Sequence, residues 1–249
     1  MKLLLAILFS VLCFIPAAEA ATAKIEKNTL TSNGKTRAYY LFVPETIKPE
    51  TPAPLIVTLH GSGRNGLPLV EKWKDLAAKE GVILVGPDAL NSAGWGMPGD
   101  GPDFLHDVVE SLKAKYPINP RRVYLFGHSA GAVFAIYMSL FESEYFAAAV
   151  IHAGAIDVKK DAELFVYAKR KIPMAMFIGT RDPFFPVKAV RDTRDALVAS
   201  GFAVQLKEIP NHTHDYYSRA AEINPEAWEF LKKNELTADP QYTNYTLNK

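Results

Sequence analysis

The fold is decided by Arg122-Val123-Tyr124-Leu125-Phe126-Gly127-His128-Ser129-Ala130-Gly131-Ala132-Val133-Phe134-Ala135-Ile136-Tyr137. A short apolar run typical of a strand precedes Gly127-His128-Ser129-Ala130-Gly131, and an apolar run typical of a helix follows it. The pattern G-x-S-x-G between a strand and a helix is typical of a nucleophile elbow, a strained turn that exposes its serine above a sheet. The helix N-terminus directs free N–H groups at developing negative charge. Ser129 is therefore the predicted nucleophile.

Strand-like and helix-like segments alternate along the chain on both sides of this elbow. Continuous apolar runs such as Leu55-Ile56-Val57 are typical of central parallel strands that helices cover on both faces. The alternation predicts an α/β fold with a mostly parallel central sheet. The predicted strands are residues 36–43, 55–60, 82–86, 123–127, 148–152, 174–179 and 203–209.

The helix boundaries are predicted from capping residues. Asp103 is placed to cap the helix before the elbow, and Asn224-Pro225 is placed to begin the last helix with a cap and a proline at its first position. Residues 162–168 predict a short helix within the segment 153–172, which joins two strands. That segment is too short for a separate cap domain, so we expect no large cap over the site.

The composition excludes several classes of protein. With 28 Lys and Arg against 27 Asp and Glu, the chain has a formal net charge of +1 and lacks the basic surplus of a nucleic-acid binder. Its single cysteine cannot form a disulfide within the chain. The hydrophobic fraction of 49% is that of a globular protein with one large core.

The first residues have the pattern of a secretory signal peptide. Met1-Lys2 precedes an apolar run over residues 3–15, and Ala18 and Ala20 have the spacing that signal peptidase accepts. The run is shorter than the ~20 residues that span a bilayer. We therefore expect an exported protein, periplasmic or secreted, without stable membrane insertion after signal cleavage. The predicted organisation is a signal peptide at 1–20, one domain at 21–235 and a polar C-terminal tail at 236–249.

The acid and the base of a serine hydrolase should follow the nucleophile in the chain. Asp182 comes directly after a predicted strand, where a carboxylate could orient a histidine, and Asp157 is the less favoured alternative. His212 and His214 follow the last predicted strand, and the position of each is suitable for a general base. A His-x-His pair could also bind a metal ion, but no further ligands lie nearby in the sequence, so no metal is expected.

Further residues are expected to surround the reacting group. Backbone N–H groups near Ser62 and Ala130 are the predicted oxyanion hole. The residues expected to line the substrate pocket are His60, Trp95, Met97 and His152.

The elbow and the residues before it resemble the α/β-hydrolase superfamily of serine hydrolases. Residues 103–116, followed by Asn119-Pro120-Arg121-Arg122-Val123-Tyr124 and by the elbow, are similar to the pre-elbow segment of the secreted polyhydroxybutyrate depolymerase and feruloyl esterase-like group. The resemblance covers most of residues 36–233. It implies an α/β-hydrolase fold and a serine esterase activity.

The same resemblance assigns roles to individual residues. It implies a nucleophile at Ser129, an acid at Asp182 and an oxyanion loop at His60-Gly61-Ser62. His214-Asp215-Tyr216-Tyr217 resembles the His-Ser-Tyr-Tyr run of S-formylglutathione hydrolase-like esterases, which favours His214 as the base, while Asn211-His212 keeps His212 as the alternative.

The expected function is hydrolysis of carboxylic esters through an acyl-enzyme. The substrate is a small-molecule or polymer ester, and the reaction needs no cofactor. A serine peptidase or aminoacyl hydrolase is an alternative within the same chemistry. A non-catalytic binding protein on the same scaffold is an alternative from another class, because fold does not determine function.

Overall fold

A single mixed sheet organises the part of the chain that the computed structural model describes, residues 23–244. The predicted signal peptide lies outside the described residues. Eight strands occur in this range in the order β1-β2-β4-β3-β5-β6-β7-β8. β2 is antiparallel to both of its neighbours, β1 and β4, and all the other neighbouring strands are parallel to each other. The strands are β1 Glu26–Ser32, β2 Lys35–Phe42, β3 Ala53–Leu59, β4 Ile83–Pro87, β5 Ile118–His128, β6 Ala148–His152, β7 Met174–Gly179 and β8 Val204–Ile209.

Helices cover both faces of the sheet because alternate residues of the central strands point to opposite sides. In β5, Val123 and Leu125 join the core shared with α2, α3 and α5, whereas Tyr124 and Phe126 join the core shared with α1 and α6. The helices are α1 Leu67–Glu80, α2 Pro102–Lys113, α3 Ala130–Phe141, α4 Val158–Asp161, α5 Val187–Ala199 and α6 Tyr216–Leu231.

The seven predicted strands are all present, which confirms the mostly parallel sheet. β6 and β7 have the predicted bounds, while β5 begins earlier than expected, at Ile118. Strand β1 was not predicted, because its side chains are mostly exposed and give little hydrophobic pattern. The available signal was the turn after it, since Asn33 and Gly34 have φ of 48° and 72° and Asn-Gly is the typical two-residue hairpin turn.

The predicted cap at Asp103 was wrong. Helix α2 begins at Pro102 with Gly101 as its N-cap, and no side chain caps it. Asp103 lies in the first turn, where its carboxylate accepts a hydrogen bond from the hydroxyl of Tyr242.

The predicted start of the last helix was also wrong. Helix α6 begins at Tyr216, and the carboxylate of Asp215 caps it by accepting the N–H of Tyr217 at 3.1 Å. Asn224-Pro225 lies inside the helix. Asn224 is buried there, and its side-chain amide is satisfied: it donates to the carbonyl of Lys72 at 2.8 Å and accepts from the hydroxyl of Tyr216 at 2.6 Å.

No large cap covers the carboxyl edge of the sheet within the described residues. The segment between β6 and β7 contains only the short α4 and a 3-10 helix, Ala162–Tyr167, where an α-helix over 162–168 was expected. None of the helices in residues 23–244 combines the length and hydropathy that crossing a lipid bilayer requires.

A buried ion pair holds the segment 88–101 against the sheet. Nη2 of Arg37 lies 2.5 Å from Oδ1 of Asp100, and both side chains are 3% exposed. Asp100 also accepts the N–H groups of Leu90 and Gly96, each at 2.9 Å. Arg37 also donates to the carbonyls of Asp88 at 2.9 Å and Gly99 at 2.7 Å, at the two ends of the segment. These contacts fix the path of the segment over the sheet.

We expect Arg37→Met to lower the free energy of unfolding by about 3–5 kcal/mol, because it leaves the buried Asp100 carboxylate without its counter-ion. Urea unfolding at pH 7 measures the loss. Arg191→Met is the matched control, because it breaks an Arg–carboxylate pair of similar length, 2.6 Å, whose arginine is 52% exposed. A surface pair of this kind contributes little, so equal losses in the two variants would contradict the anchoring role of Arg37.

Candidate active site

The backbone at Ser129 has the strained geometry of a nucleophile elbow. Ser129 has φ 57° and ψ −121°, outside the regions that residues with a side chain prefer, and it is the N-cap of α3. A Cβ at Gly131 would lie 2.0 Å from the carbonyl oxygen of Leu59, and one at Gly127 would lie 2.3 Å from the carbonyl oxygen of Gly131. Both glycines are therefore required for the close approach of α3 to strands β3 and β5.

The side chains of Ser129, His214 and Asp182 form one hydrogen-bonded chain. Nε2 of His214 lies 2.9 Å from Oγ of Ser129, and Nδ1 of His214 lies 2.8 Å from Oδ2 of Asp182. A carboxylate only accepts, so Nδ1 carries the proton and Nε2 is free to accept the hydroxyl proton of Ser129. The other Asp182 oxygen accepts the N–H groups of Phe184 at 2.8 Å and Phe185 at 2.9 Å, which fixes the buried carboxylate.

Loops at the carboxyl ends of β7 and β8 bring Asp182 and His214, the predicted acid and base, together. A Cβ at Gly179, the last residue of β7, would lie 2.2 Å from the carbonyl oxygen of His212, so the two loops are in direct contact. The same carbonyl accepts the N–H of Arg181 at 2.9 Å. This contact places Asp182 beside the loop that carries His214.

The alternatives considered for acid and base lie elsewhere. Asp157 is the N-cap of α4 and accepts the N–H of Lys159 at 3.2 Å. His212 is 3% exposed, and its Nε2 lies 3.2 Å from Nε2 of His152 rather than near Ser129.

The residues of the predicted oxyanion hole lie beside Ser129. Ala130 is the first residue of α3, where backbone N–H groups have no partner within the helix. The loop that contains Ser62 passes close to the nucleophile, since a Cβ at Gly61 would lie 3.1 Å from Cβ of Ser129. Ser62 and Ala130 both line the cleft onto which Ser129 opens.

That cleft has a volume of about 800 Å³ and an apolar, aromatic lining. The indole of Trp95 stacks on Phe134, with ring centroids 4.9 Å apart and an angle of 11° between the planes. No Lys, Arg, Asp or Glu of the described residues lines the cleft. Its apolar lining consists mainly of Trp95, Met97, Phe134, Tyr137, Phe184 and Phe185.

Two of the residues expected in the pocket lie behind its wall. His60 is 1% exposed, and its Nε2 accepts the N–H of Ala89 at 3.1 Å. Its ring supports Trp95 from behind, with centroids 4.9 Å apart, and its carbonyl accepts the indole N–H of Trp95 at 2.8 Å. His152 is fully buried beneath the elbow. The expectation of pocket contact was therefore wrong for both, whereas Trp95 and Met97 line the cleft.

The apolar residues on two sides of the cleft, most of them aromatic, were not predicted from the sequence. Val133, Phe134 and Tyr137 follow Ser129 at helical spacing, so that helix α3 presents one stripe to the cleft. Phe184 and Phe185 follow Asp182, and their rings lie 4.8 and 5.9 Å from that of His214. Phe184 is 71% exposed. The helical spacing of Val133, Phe134 and Tyr137 after Ser129 could have predicted the α3 side of the cleft. The sequence around Phe184 and Phe185 has no pattern that predicts their place in the cleft.

Three histidines are buried behind the site in their neutral form. Burial lowers the pKa of His128 to about 3 and holds the pKa of His152 well below its usual value. Burial also lowers the pKa of His212.

A mostly parallel sheet with a serine elbow after β5, an acid after β7 and a histidine after β8 defines the α/β-hydrolase class. The sequence profile of the dienelactone hydrolase family matches residues 88–238, which is more than half of the chain. The chain therefore belongs to the dienelactone hydrolase family.

Two curated relatives are named as esterases. Over 108 residues, 42% of the chain, it is 28% identical to a bifunctional acetylxylan esterase/xylanase of Neocallimastix patriciarum. Over 189 residues, 69% of the chain, it is 29% identical to the candidate esterase NocK of Nocardia uniformis subsp. tsuyamanensis. The chain spans 16% of the length of the first and 52% of the second.

A solved structure shows the same fold. A CE1 ferulic acid esterase of Anaeromyces mucronatus superposes with a TM-score of 0.69 at 17% identity, covering 88% of this chain and 93% of that one. At this identity the likeness concerns the fold alone, and it agrees with the α/β-hydrolase class.

We expect the free energy of unfolding to decrease as the pH falls below about 6.5, the ordinary pKa of histidine. In that range histidines are protonated in the unfolded chain, whereas the buried histidines of the folded chain stay neutral, so acid favours unfolding. Each such histidine contributes about 1.4 kcal/mol per pH unit. Urea unfolding between pH 5 and pH 7.5 measures the slope. His152→Gln should reduce the slope by the contribution of one histidine. His106→Gln is the control, because the side chain of His106 is partly exposed. An unchanged slope in His152→Gln would contradict this account.

Proposed function

We propose that this protein is a serine esterase that hydrolyses carboxylic esters through an acyl-enzyme on Ser129. The observation that carries the proposal is the hydrogen-bonded chain from Ser129 through His214 to Asp182, which opens onto an apolar cleft. With the predicted signal peptide at residues 1–20, we propose an exported enzyme whose esterase domain is residues 21–235.

In the proposed reaction each step has its own residue. Oγ of Ser129 attacks the ester carbonyl carbon while Nε2 of His214 takes the hydroxyl proton, and Asp182 stabilises the imidazolium that results. The backbone N–H groups of Ala130 and of the Ser62 loop stabilise the negative charge on the carbonyl oxygen. His214 then gives the proton to the departing alkoxide, and water hydrolyses the acyl-enzyme by the same steps.

The shape of the cleft favours elongated apolar acyl groups. The alcohol must lie near Nε2 of His214, which protonates it, so the half of the cleft along α3 receives the acyl group. From Ser129 to Tyr137 the helix advances about 12 Å, at 1.5 Å per residue. The lining along this path is apolar as far as Tyr137.

A hydrogen-bond acceptor stands at the far end of this path. The hydroxyl of Tyr137 donates its proton to Oδ2 of Asp161 at 3.0 Å. Burial and the neighbouring Asp161 carboxylate raise the pKa of Tyr137 to about 12, so the phenol keeps its proton. Tyr137 lines the cleft and its hydroxyl proton is engaged by Asp161, so we infer that its oxygen accepts a hydrogen bond from the substrate and that the nearby carboxylate repels anions. Acyl groups with a distal hydroxyl fit this end, whereas those with a distal carboxylate are disfavoured.

We expect the purified protein to hydrolyse p-nitrophenyl esters, and Ser129→Ala to lower kcat by about 10⁶-fold, since the nucleophile is lost. A fluorophosphonate probe should label the wild type and leave this variant unlabelled. Ser62→Ala is the matched control, because it removes a hydroxyl from the same cleft but keeps the backbone N–H; it should retain most of the turnover.

Other outcomes would decide against the proposal. Absence of both ester turnover and fluorophosphonate labelling would favour the non-catalytic binding protein. Labelling of Ser129 combined with hydrolysis of peptides and not of esters would favour the serine peptidase.

We expect kcat/KM for the p-nitrophenyl ester of para-hydroxyphenylpropanoic acid to exceed that for the phenylpropanoic ester. Tyr137→Phe should reduce this ratio about tenfold, because one hydrogen bond of about 1.4 kcal/mol is lost. Tyr167→Phe, a tyrosine outside the lining, is the control. A ratio that is the same in Tyr137→Phe and in the wild type would rule out selection by Tyr137.

A further inference from the structure

A buried histidine stands at the carboxyl end of β6, directly beneath the elbow. His152 is fully buried, and it pairs in register with His128, the last residue of β5. The backbone carbonyl of His152 accepts the N–H of Ser129 at 3.0 Å. The main chain of His152 therefore fixes the backbone of the proposed nucleophile.

The ring of His152 joins two other buried histidines. Its Nδ1 lies 3.0 Å from Nδ1 of His128, and its Nε2 lies 3.2 Å from Nε2 of His212. His128 is 5% exposed and His212 is 3% exposed. We call His128, His152 and His212 the histidine bridge.

The far end of the histidine bridge is in the loop that carries the proposed base. This loop, residues 210–215, joins β8 to α6, and Asn211 turns the chain there with a φ of 58°. The side chain of His212 contacts His152, its carbonyl accepts the N–H of Arg181 next to Asp182, and His214 follows two residues later. The His212 side chain therefore ties the base loop to β6.

The two N···N contacts of the histidine bridge determine how the proton of the middle ring, His152, is used. Each N···N contact needs one N–H and one free nitrogen, so a neutral His152 donates from one nitrogen and accepts at the other. The ring of Tyr216 covers the bridge, with centroids 5.5 Å from His128 and 5.4 Å from His152. The facing nitrogens, 3.0 and 3.2 Å apart, are within hydrogen-bond distance of one another.

We propose that His152 is a positioning residue for the Ser129–His214 pair. Its carbonyl accepts the N–H of Ser129 and its ring, through His212, holds the loop of the base. One residue therefore sets the distance between the loops that follow β5 and β8, which β6 and β7 separate in the sheet. This inference rests on the proposed serine esterase and adds to it a residue that acts only through Ser129 and His214. The contact with His128 secures the ring at the other nitrogen.

Asparagine and glutamine at position 152 separate the two ring contacts. The side-chain amide of Asn ends at the δ position and that of Gln at the ε position, so His152→Asn keeps a partner for His128 and His152→Gln keeps one for His212. We expect His152→Gln to retain most of the wild-type kcat. His152→Asn should lower kcat by about 10²-fold with KM nearly unchanged, the cost of a displacement of about 1 Å between reacting groups.

Circular dichroism and urea unfolding give the folded fraction of each variant, and kcat is expressed per folded molecule. Equal kcat values for His152→Asn and His152→Gln would overturn the proposal, since a merely structural histidine affects only the folded fraction. If neither variant folds, His212→Gln and His212→Leu repeat the comparison from the loop side, with Gln keeping the ε contact to His152. Equal kcat values there would overturn it in the same way.

Two readouts separate this proposal from the proposed function. The rate of fluorophosphonate labelling of Ser129 and the ¹⁵N NMR signals of His214 report the Ser129–His214 contact without ester turnover. A wild type that labels but hydrolyses no ester counts against the esterase alone. Slower labelling and an altered His214 signal in His152→Asn, both restored in His152→Gln, would then support the histidine bridge, and identical values in the two variants would exclude it.

Discussion

The close approach of helix α3 to strands β3 and β5 is the constraint on which the rest of the site depends. The helix starts so near the sheet that the positions of Gly127 and Gly131 have no room for a side chain. This approach forces Ser129 into its left-handed backbone conformation and lifts its hydroxyl above the sheet edge. It also aims the unpaired N–H groups of the first helical turn at the cleft, so the proposed nucleophile and the proposed oxyanion hole depend on the same backbone feature.

The remaining groups reach Ser129 because parallel strands end at the same edge of the sheet. β7 and β8 deliver Asp182 and His214 there, and the contact between Gly179 and the carbonyl of His212 joins their loops. On the other side, Arg37 and Asp100 hold the segment that carries Trp95 and Met97. The cleft is therefore built from one face of helix α3 and from loops fixed by buried polar contacts, and no large cap covers it within the described residues.

The features that could be predicted from the sequence are those that depend on residues close together in the chain. The elbow, the apolar central strands and the order of Ser129, Asp182 and His214 each leave a local pattern in the chain. The caps at Asp103 and Asn224 failed because tertiary partners, Tyr242 and Lys72, use those side chains instead. His60 and His152 were misplaced because strand-end position alone does not distinguish a side chain that faces the cleft from one that supports its wall.

The surroundings of the elbow differ between the cleft in front of it and the buried histidine bridge behind it. In the cleft, no Lys, Arg, Asp or Glu of the described residues lines the wall, so no charged lining residue competes with Asp182 for His214. Behind the elbow, burial keeps the histidine bridge neutral, and a neutral ring both donates and accepts, as His152 must. A charged residue at position 152 could not make both contacts without a buried counter-ion. The arrangement therefore ties the geometry of the proposed site to the neutral state of its support, and acid that protonates the histidine bridge acts on both.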